Sequence, residues 1–429
     1  MNGRDVVVVG GGLAGLVAAS RLAAAGASVT LYERESEVGG RVRSTHEDGF
    51  TYDRGFQVLF TAYPAVQREL DLDRLELRSF APGACLCRPG HRSTLADPFR
   101  DPGSLTESLF NRDVTLADKV NTFRLKRELR KRSPGSLFGG SDRSTRTYLQ
   151  ERGFSDRFVE NFAEPFFGGI TLDRTLATSK HVFEYVFAML STGESAVPAD
   201  GMGAISSQLR ERAEAAGATV ETGRTVTAIE SAGSRGAVSL SESRREADAI
   251  VVATDPLSAL ELTGVESIPT AANGCVTQWY ALDDTGGLDA GKRLMLNTDS
   301  AGPNQVVDHT AVAPEYAPED VTLLSATFLG DREESDDELA ELARETVASW
   351  YPERRFDRFE LRHTDRIPFA QLVQKPGFAD ALPEVRDPDG PVYLAGDYTR
   401  WSSIQGAMES GAVAAEAVEA DLSGDTPES

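Results

Sequence analysis

The run Gly10-Gly11-Gly12-Leu13-Ala14-Gly15 fits the spacing G-x-G-x-x-G, with Gly10, Gly12 and Gly15 in the three named places. Such a run handles phosphate through its backbone. The first glycine turns the chain sharply off a strand, and the second leaves no side chain between a pyrophosphate and the main chain. The third lets the next helix pack closely. A helix opening at Leu13 and Ala14 would aim unpaired N–H groups and its positive end at the phosphates. Glu33 follows Gly15 by 18 residues. There a carboxylate can hold both ribose hydroxyls and repel a 2′-phosphate. Together these residues predict a dinucleotide site, with a purely structural strand–helix–strand unit as the alternative.

Beyond the acid, Glu33-Arg34-Glu35-Ser36-Glu37-Val38-Gly39-Gly40-Arg41-Val42 resembles the extended nucleotide signature of the flavin amine oxidase superfamily. Monoamine oxidases, protoporphyrinogen oxidases, and phytoene and squalene desaturases belong to it. Physically, Gly39 and Gly40 let the loop approach a diphosphate, and Arg41 can neutralise it. Tyr393-Leu394-Ala395-Gly396-Asp397-Tyr398-Thr399 and the run from Ile404 and Gln405 to Gly411 are similar to the superfamily's last segment. The resemblance implies that the dinucleotide is FAD. Gly396 and Asp397 would meet its ribityl or phosphate region. Backbone N–H groups near Ile404 and Gln405, just after Ser403, would face the flavin pyrimidine edge. A helix beginning there stabilises the anion of a reduced flavin. Thr225-Val226-Thr227 resembles the strand whose valine backbone contacts adenine, although a core valine would look the same from sequence. Asp53-Arg54-Gly55-Phe56-Gln57 resembles the segment near the flavin ring. No cysteine lies in the C-terminal segment, so the FAD is expected to be noncovalent.

By the same resemblance the reaction is hydride removal from a substrate by the flavin, followed by reoxidation with oxygen, a quinone or another acceptor. No catalytic side chain is assigned. The phrase from Ala395 to Thr399 is nearer to the desaturases than to monoamine oxidases. Phe154, Phe158, Phe162, Phe166, Phe167, Phe183, Tyr185 and Phe187 supply material for an apolar substrate channel or for an ordinary aromatic core. A desaturase, dehydrogenase or protoporphyrinogen-oxidase-like enzyme acting on an apolar small molecule is therefore the leading expectation. A flavin amine oxidase is the alternative. Amine-oxidising relatives carry a lysine on a strand like residues 275–283, where this chain has none. The position of their cage aromatic falls on Ser403, with Trp401 close by. A non-catalytic FAD-binding redox protein is the third reading.

The elements that must position these residues can also be read. Residues 5–9 and 28–32 read as buried strands flanking a helix over 13–25. Residues 61–195 read as mostly helical, with breaks at Pro82, Pro89, Pro98, Pro102 and Pro134. The spacing of Leu116, Val120 and Phe123 supports one helix there. A helix over 204–216 and strands over 219–221, 226–230 and 249–253 follow. Strands predominate over 265–385, with an acidic helix near 336–350. A strand over 392–395, a glycine turn and a helix over 404–420 come last, and the tail 423–429 is expected to be disordered. The fold class is α/β. A Rossmann-like FAD-binding domain built from 1–60, 196–265 and 386–429 interleaves with an α+β substrate domain built from 61–195 and 266–385.

Composition narrows the partners. With 67 acids against 44 bases the net charge is −23, and only six bases are lysine. That balance argues against nucleic acid and suits an acidic cytoplasmic enzyme or one kept soluble in high salt. Cys85, Cys87 and Cys275 form neither a disulfide framework nor a metal motif, so no metal is expected. Against this acidic background, residues 119–132 carry seven bases (Lys119, Arg124, Lys126, Arg127, Arg130, Lys131, Arg132) and one acid, Glu128. The stretch could rest at the periphery of an anionic membrane, attract a carboxylated substrate, or pair with the chain's own carboxylates.

Overall fold

A computed structural model of the 429-residue chain describes residues 1–96, 113–241, 243–282, 287–299 and 301–424. Four consecutive valines end the strand Asp5–Val9, and Val6, Val7 and Val8 are fully buried. Burial on both faces is what a central parallel strand demands, and β-branched side chains suit it. This strand lies in the middle of a five-stranded parallel sheet in the order Thr219–Glu221, Ser28–Tyr32, Asp5–Val9, Ala249–Val252, Val392–Leu394. The helix Leu13–Ala24 packs beside it, and the C-terminal helix Ile404–Ser423 packs on that helix. Small residues allow the contact: a Cβ on Gly411 would stand 2.1 Å from the Ala14 carbonyl oxygen.

A second, seven-stranded sheet runs in the order Phe359–Leu372, Ala272–Leu282, Thr322–Leu329, Gln305–Asp308, Leu294–Asn297, Ala84–Arg88, His91–Leu95. The last two strands correct the expectation of mostly helix over 61–195. Ala84–Arg88 is buried and pairs parallel to Leu294–Asn297. Pro89 and Gly90 then turn the chain into an antiparallel return. The strands Arg235–Leu240 and Arg244–Ala247 were also absent from the sequence reading; Arg235–Leu240 is the central strand, pairing antiparallel with Val226–Ala232 on one side and Arg244–Ala247 on the other. Pro98 and Pro102 lie outside the described residues, as does most of the expected tail. Helix continues to Ser423, three residues beyond the expected end.

Thr145–Glu151, a continuous helical run from Asp156 to Thr171 and Lys180–Thr192 form an aromatic layer. A π-helical turn over Val159–Ala163 interrupts that run just before Pro165. A proline inside a helix removes one N–H donor and crowds the preceding turn, and a wider turn accommodates it. Phe154, Phe158, Phe162 and Phe166 form a ladder there, with ring centroids 4.6, 5.4 and 5.1 Å apart. Among the described residues no helix is long and apolar enough to cross a membrane.

Candidate functional site

A single cavity of about 2040 Å³ runs from the glycine turn after Val9 to the phenylalanine ladder. All the sequence-predicted site residues line it except Gly15 and Gln405. Strands of a parallel sheet end on this side, which is where such sheets bind ligands.

The glycine turn is shaped by contacts that differ at each position. Gly10 has φ +106°, and a Cβ there would lie 2.6 Å from the Ala253 carbonyl oxygen. A Cβ on Gly15 would lie 2.0 Å from the Gly10 carbonyl oxygen, so Gly15 serves the close packing of helix on strand rather than the cavity. Gly12 is different. It caps the helix Leu13–Ala24 with φ −72°, and a Cβ there would meet nothing within 4 Å. The protein's own packing has no need of glycine at that position. An open space beside a helix N-terminus is what a pyrophosphate requires.

Glu33 is buried and fixed by its own backbone neighbours. Gly11 N–H donates to Oε2 at 2.6 Å and Glu35 N–H to Oε1 at 2.9 Å. Each carboxylate oxygen keeps a further acceptor site for a ribose hydroxyl. The loop beyond it is stapled to the glycine turn, because Gly39 N–H donates to the Gly11 carbonyl at 2.8 Å. Gly40 has φ +60°, and its hypothetical Cβ approaches Gly12 Cα to 3.6 Å. Arg34 points along the rim, 3.7 Å from Asp255.

Arg41 and Asp397 come from opposite ends of the chain and form an ion pair at 2.7 Å. Asp397 also accepts from Ser402 Oγ at 2.9 Å. Gln57 Nε2 donates to the Arg41 and Arg54 carbonyls at 2.7 and 2.9 Å and so holds the arginine loop. Gly55 (φ +75°) lies so near the second sheet that a Cβ would stand 2.9 Å from Ile367 Cδ1. Val226 and Gly396 complete this arm. Ser403 caps the C-terminal helix by accepting from Gly406 N–H at 2.8 Å, and Ile404 opens onto the cavity. The Gln405 side chain turns away, accepting from Ala65 N–H and donating to Glu409, both at 2.8 Å.

Some lining residues escaped the sequence reading. Thr254, Asp255, Pro256 and Ser258 follow the strand Ala249–Val252 and border the same arm. Asp255 caps the helix Pro256–Thr263. An Asp-Pro pair that follows a buried strand after two intervening residues is a helix start at a strand's carboxyl end, and it was legible as such.

The other arm is apolar. Phe158, Phe162, Phe166, Phe167 and Phe187 line it, while Phe154, Phe183 and Tyr185 belong to the core beside it. Its floor is the second sheet, where Cys275, Thr327, Gln305 and Leu296 come from neighbouring strands. Desolvation by burial pushes the Cys275 thiol up to about 12, so it stays protonated at neutral pH. Gln305 is only 4% exposed, and its Oε1 accepts from Asn304 Nδ2 at 2.5 Å. Tyr63 and Trp401, both lining residues, stand nearly perpendicular at 6.1 Å. Beneath Arg54 and Gly55, the Asp53 carboxylate is fully enclosed. It accepts from Ser44 Oγ, Met202 N–H and Tyr316 O–H, yet burial outweighs those bonds and raises its pKa to about 6.

The model of the family described as flavin containing amine oxidoreductase matches residues 13–419. Protoporphyrinogen oxidase 2, chloroplastic/mitochondrial, of Arabidopsis thaliana is 29% identical over 188 residues, which is 43% of this chain and 36% of that protein. A 4,4'-diaponeurosporene oxygenase of Staphylococcus aureus is 43% identical over 60 residues, 14% of this chain and 12% of the other. The matches thus span about a third and about an eighth of those relatives. A crystal structure of a putative protoporphyrinogen oxidase from Exiguobacterium sp. 255-15 superposes with a TM-score of 0.75 at 19% identity, covering 98% of this chain and 100% of the other. That likeness establishes a shared fold.

Proposed function

Because the chain belongs to the flavin-containing amine oxidoreductase family, we propose that it is an FAD-dependent oxidoreductase that removes hydride from an apolar small molecule. The observation that carries this reading is the continuity of one cavity from a dinucleotide-shaped arm to a phenylalanine-lined arm. FAD, when bound, would supply the hydride acceptor, with oxygen or a quinone as the final oxidant. The chain's own residues supply place and electrostatics. Gly12 and the helix behind it would take the pyrophosphate, Glu33 the ribose hydroxyls, Arg41 the phosphate charge, and Val226 backbone the adenine. The N–H groups at the start of the helix Ile404–Ser423 would meet the ring's pyrimidine edge. The aromatic arm would exclude water from the substrate. Gln305, with its oxygen occupied by Asn304, offers a buried N–H donor in an otherwise greasy wall.

The likeness to a protoporphyrinogen oxidase and to a diaponeurosporene oxygenase is consistent with an apolar or polyene substrate. An amine oxidase is the second reading, favoured by the facing rings of Tyr63 and Trp401. Against it, no lysine occurs in the strand Ala272–Leu282.

The test is direct. Purified protein should be yellow, and acid precipitation should leave a colourless pellet with FAD in the supernatant, since Cys275 is held protonated and no other cysteine lines the cavity. Anaerobic addition of polyene or porphyrinogen-like compounds should bleach the flavin, and aliphatic amines should not. Bleaching by amines alone would move the assignment to the second reading. A flavin that no reductant of either class bleaches would leave a non-catalytic redox protein.

A further inference from the structure

The helix Leu116–Leu129 has two unlike faces. Asp118, Leu125 and Leu129 are buried. Asp118 anchors this inner face: its carboxylate accepts from Thr115 N–H and Oγ in a capping box, and from Ser155 N–H and Oγ at 2.8 and 2.7 Å. The outward face carries Leu116, 76% exposed, Phe123, 54% exposed, and Val120, 42% exposed. At 100° per residue these three share an arc of about 80° with Arg127 and Arg130. The periodicity that predicts the helix from sequence therefore marks its outward face, not its inward one.

The charges follow a pattern too. Glu128, the only acid among residues 119–132, is taken by Arg152 in a bidentate pair. Arg132 pairs with Glu184, and Arg130 donates to the Ser191 carbonyl. Arg124, Arg127 and Lys131 pair with no carboxylate among the described residues. Internal pairing thus accounts for only part of the stretch. Leu116, Val120, Phe123 and Arg127 also line the mouth of the cavity.

We propose that this face docks on the anionic surface of a lipid bilayer. Leu116, Val120 and Phe123 enter the acyl boundary, Arg124, Arg127 and Lys131 lie among the headgroups, and the cavity mouth opens toward the lipid. Apolar side chains ringed by bases form the pattern of an interfacial helix. A protein of net charge −23 is repelled by an anionic surface as a whole, so attraction confined to one helix also fixes the orientation. A soluble carboxylate ligand would account for the bases but not for three large apolar residues turned outward. The inference is independent of the redox reading, because docking needs neither flavin nor turnover.

The test is co-sedimentation of the full chain with phosphatidylcholine vesicles containing or lacking phosphatidylglycerol. Binding should be at least tenfold tighter with phosphatidylglycerol and should weaken as salt is raised. The triple variant Leu116→Ser/Val120→Ser/Phe123→Ser should lose tenfold or more in affinity while keeping its circular dichroism. The double variant Arg124→Glu/Arg127→Glu, at two exposed positions, provides a second route if the triple variant does not fold. Equal binding to neutral vesicles, no sedimentation with either vesicle, or variants that bind like the parent would overturn the proposal. Capture by an acidic protein with no vesicle binding would overturn it as well.

Discussion

Arg41 Nη2 stands 2.7 Å from Asp397 Oδ1, so residues 356 positions apart share one charge pair in the cavity wall. Arg41 Nη1 also donates to the Ala370 carbonyl at 3.2 Å. Three distant stretches of chain therefore agree on where one guanidinium lies.

Arg41→Ala is expected to raise the dissociation constant for FAD tenfold or more, about 1.4 kcal/mol per tenfold. Arg41→Lys should restore part of the loss, because the charge returns without the two-pronged donor geometry. Titration of flavin-stripped protein with FAD measures this. An unchanged constant in the alanine variant would remove Arg41 from the cofactor site.

Two glycines three residues apart should respond in opposite ways. Gly15→Ala forces a methyl to 2.0 Å from the Gly10 carbonyl oxygen, and loss of folded protein is the expected outcome. Gly12→Ala meets nothing within 4 Å at an ordinary φ, so its melting temperature without cofactor should match the parent's. Its affinity for FAD should nevertheless fall by tenfold or more. A Gly12→Ala protein that binds FAD normally would argue for a purely structural turn.

Asp53 predicts a pH dependence of stability. Its pKa is raised from 3.8 to about 6, mainly by desolvation, so the folded protein holds this proton more tightly than the unfolded chain. The resulting stabilisation is complete below pH 3.8 and is lost as pH rises through about 6. Its full size is on the order of 3 kcal/mol, at 1.36 kcal/mol per pKa unit. Asp53→Asn cannot ionise. The difference in unfolding free energy between parent and variant should therefore shift between pH 4 and 7, and parallel profiles would refute the assignment.

Residues whose placement depends on local conformation could be located from their neighbours in sequence. The glycine turn, Glu33 and the 39–41 loop are of this kind, and all of them except Gly11 and Gly15 reach the cavity. The role of Gly15 itself was legible as packing. The phenylalanines were legible as material but not as lining. Phe158, Phe162, Phe166 and Phe167 of one helical run reach the cavity, while Phe154, just before that run, and Phe183, on the helix Lys180–Thr192, stay in the core. The strands Ala84–Arg88 and His91–Leu95 were hidden for another reason: the segment's partner, Leu294–Asn297, is some two hundred residues away. The outward stripe of Leu116, Val120 and Phe123 shows the limit of periodicity. It reports that one face is apolar and leaves open which way the face looks.

The close seam between the helices Leu13–Ala24 and Ile404–Ser423, with Gly411 against Ala14, has a consequence for biosynthesis. A ribosome delivers the first helix almost four hundred residues before the one that covers it. Until then, an alanine-rich surface meant for tight burial waits without its cover, and premature termination anywhere before residue 404 leaves it so. Nascent chains should thus depend on holding factors late into translation, and truncated products should be cleared rather than accumulate as a working half.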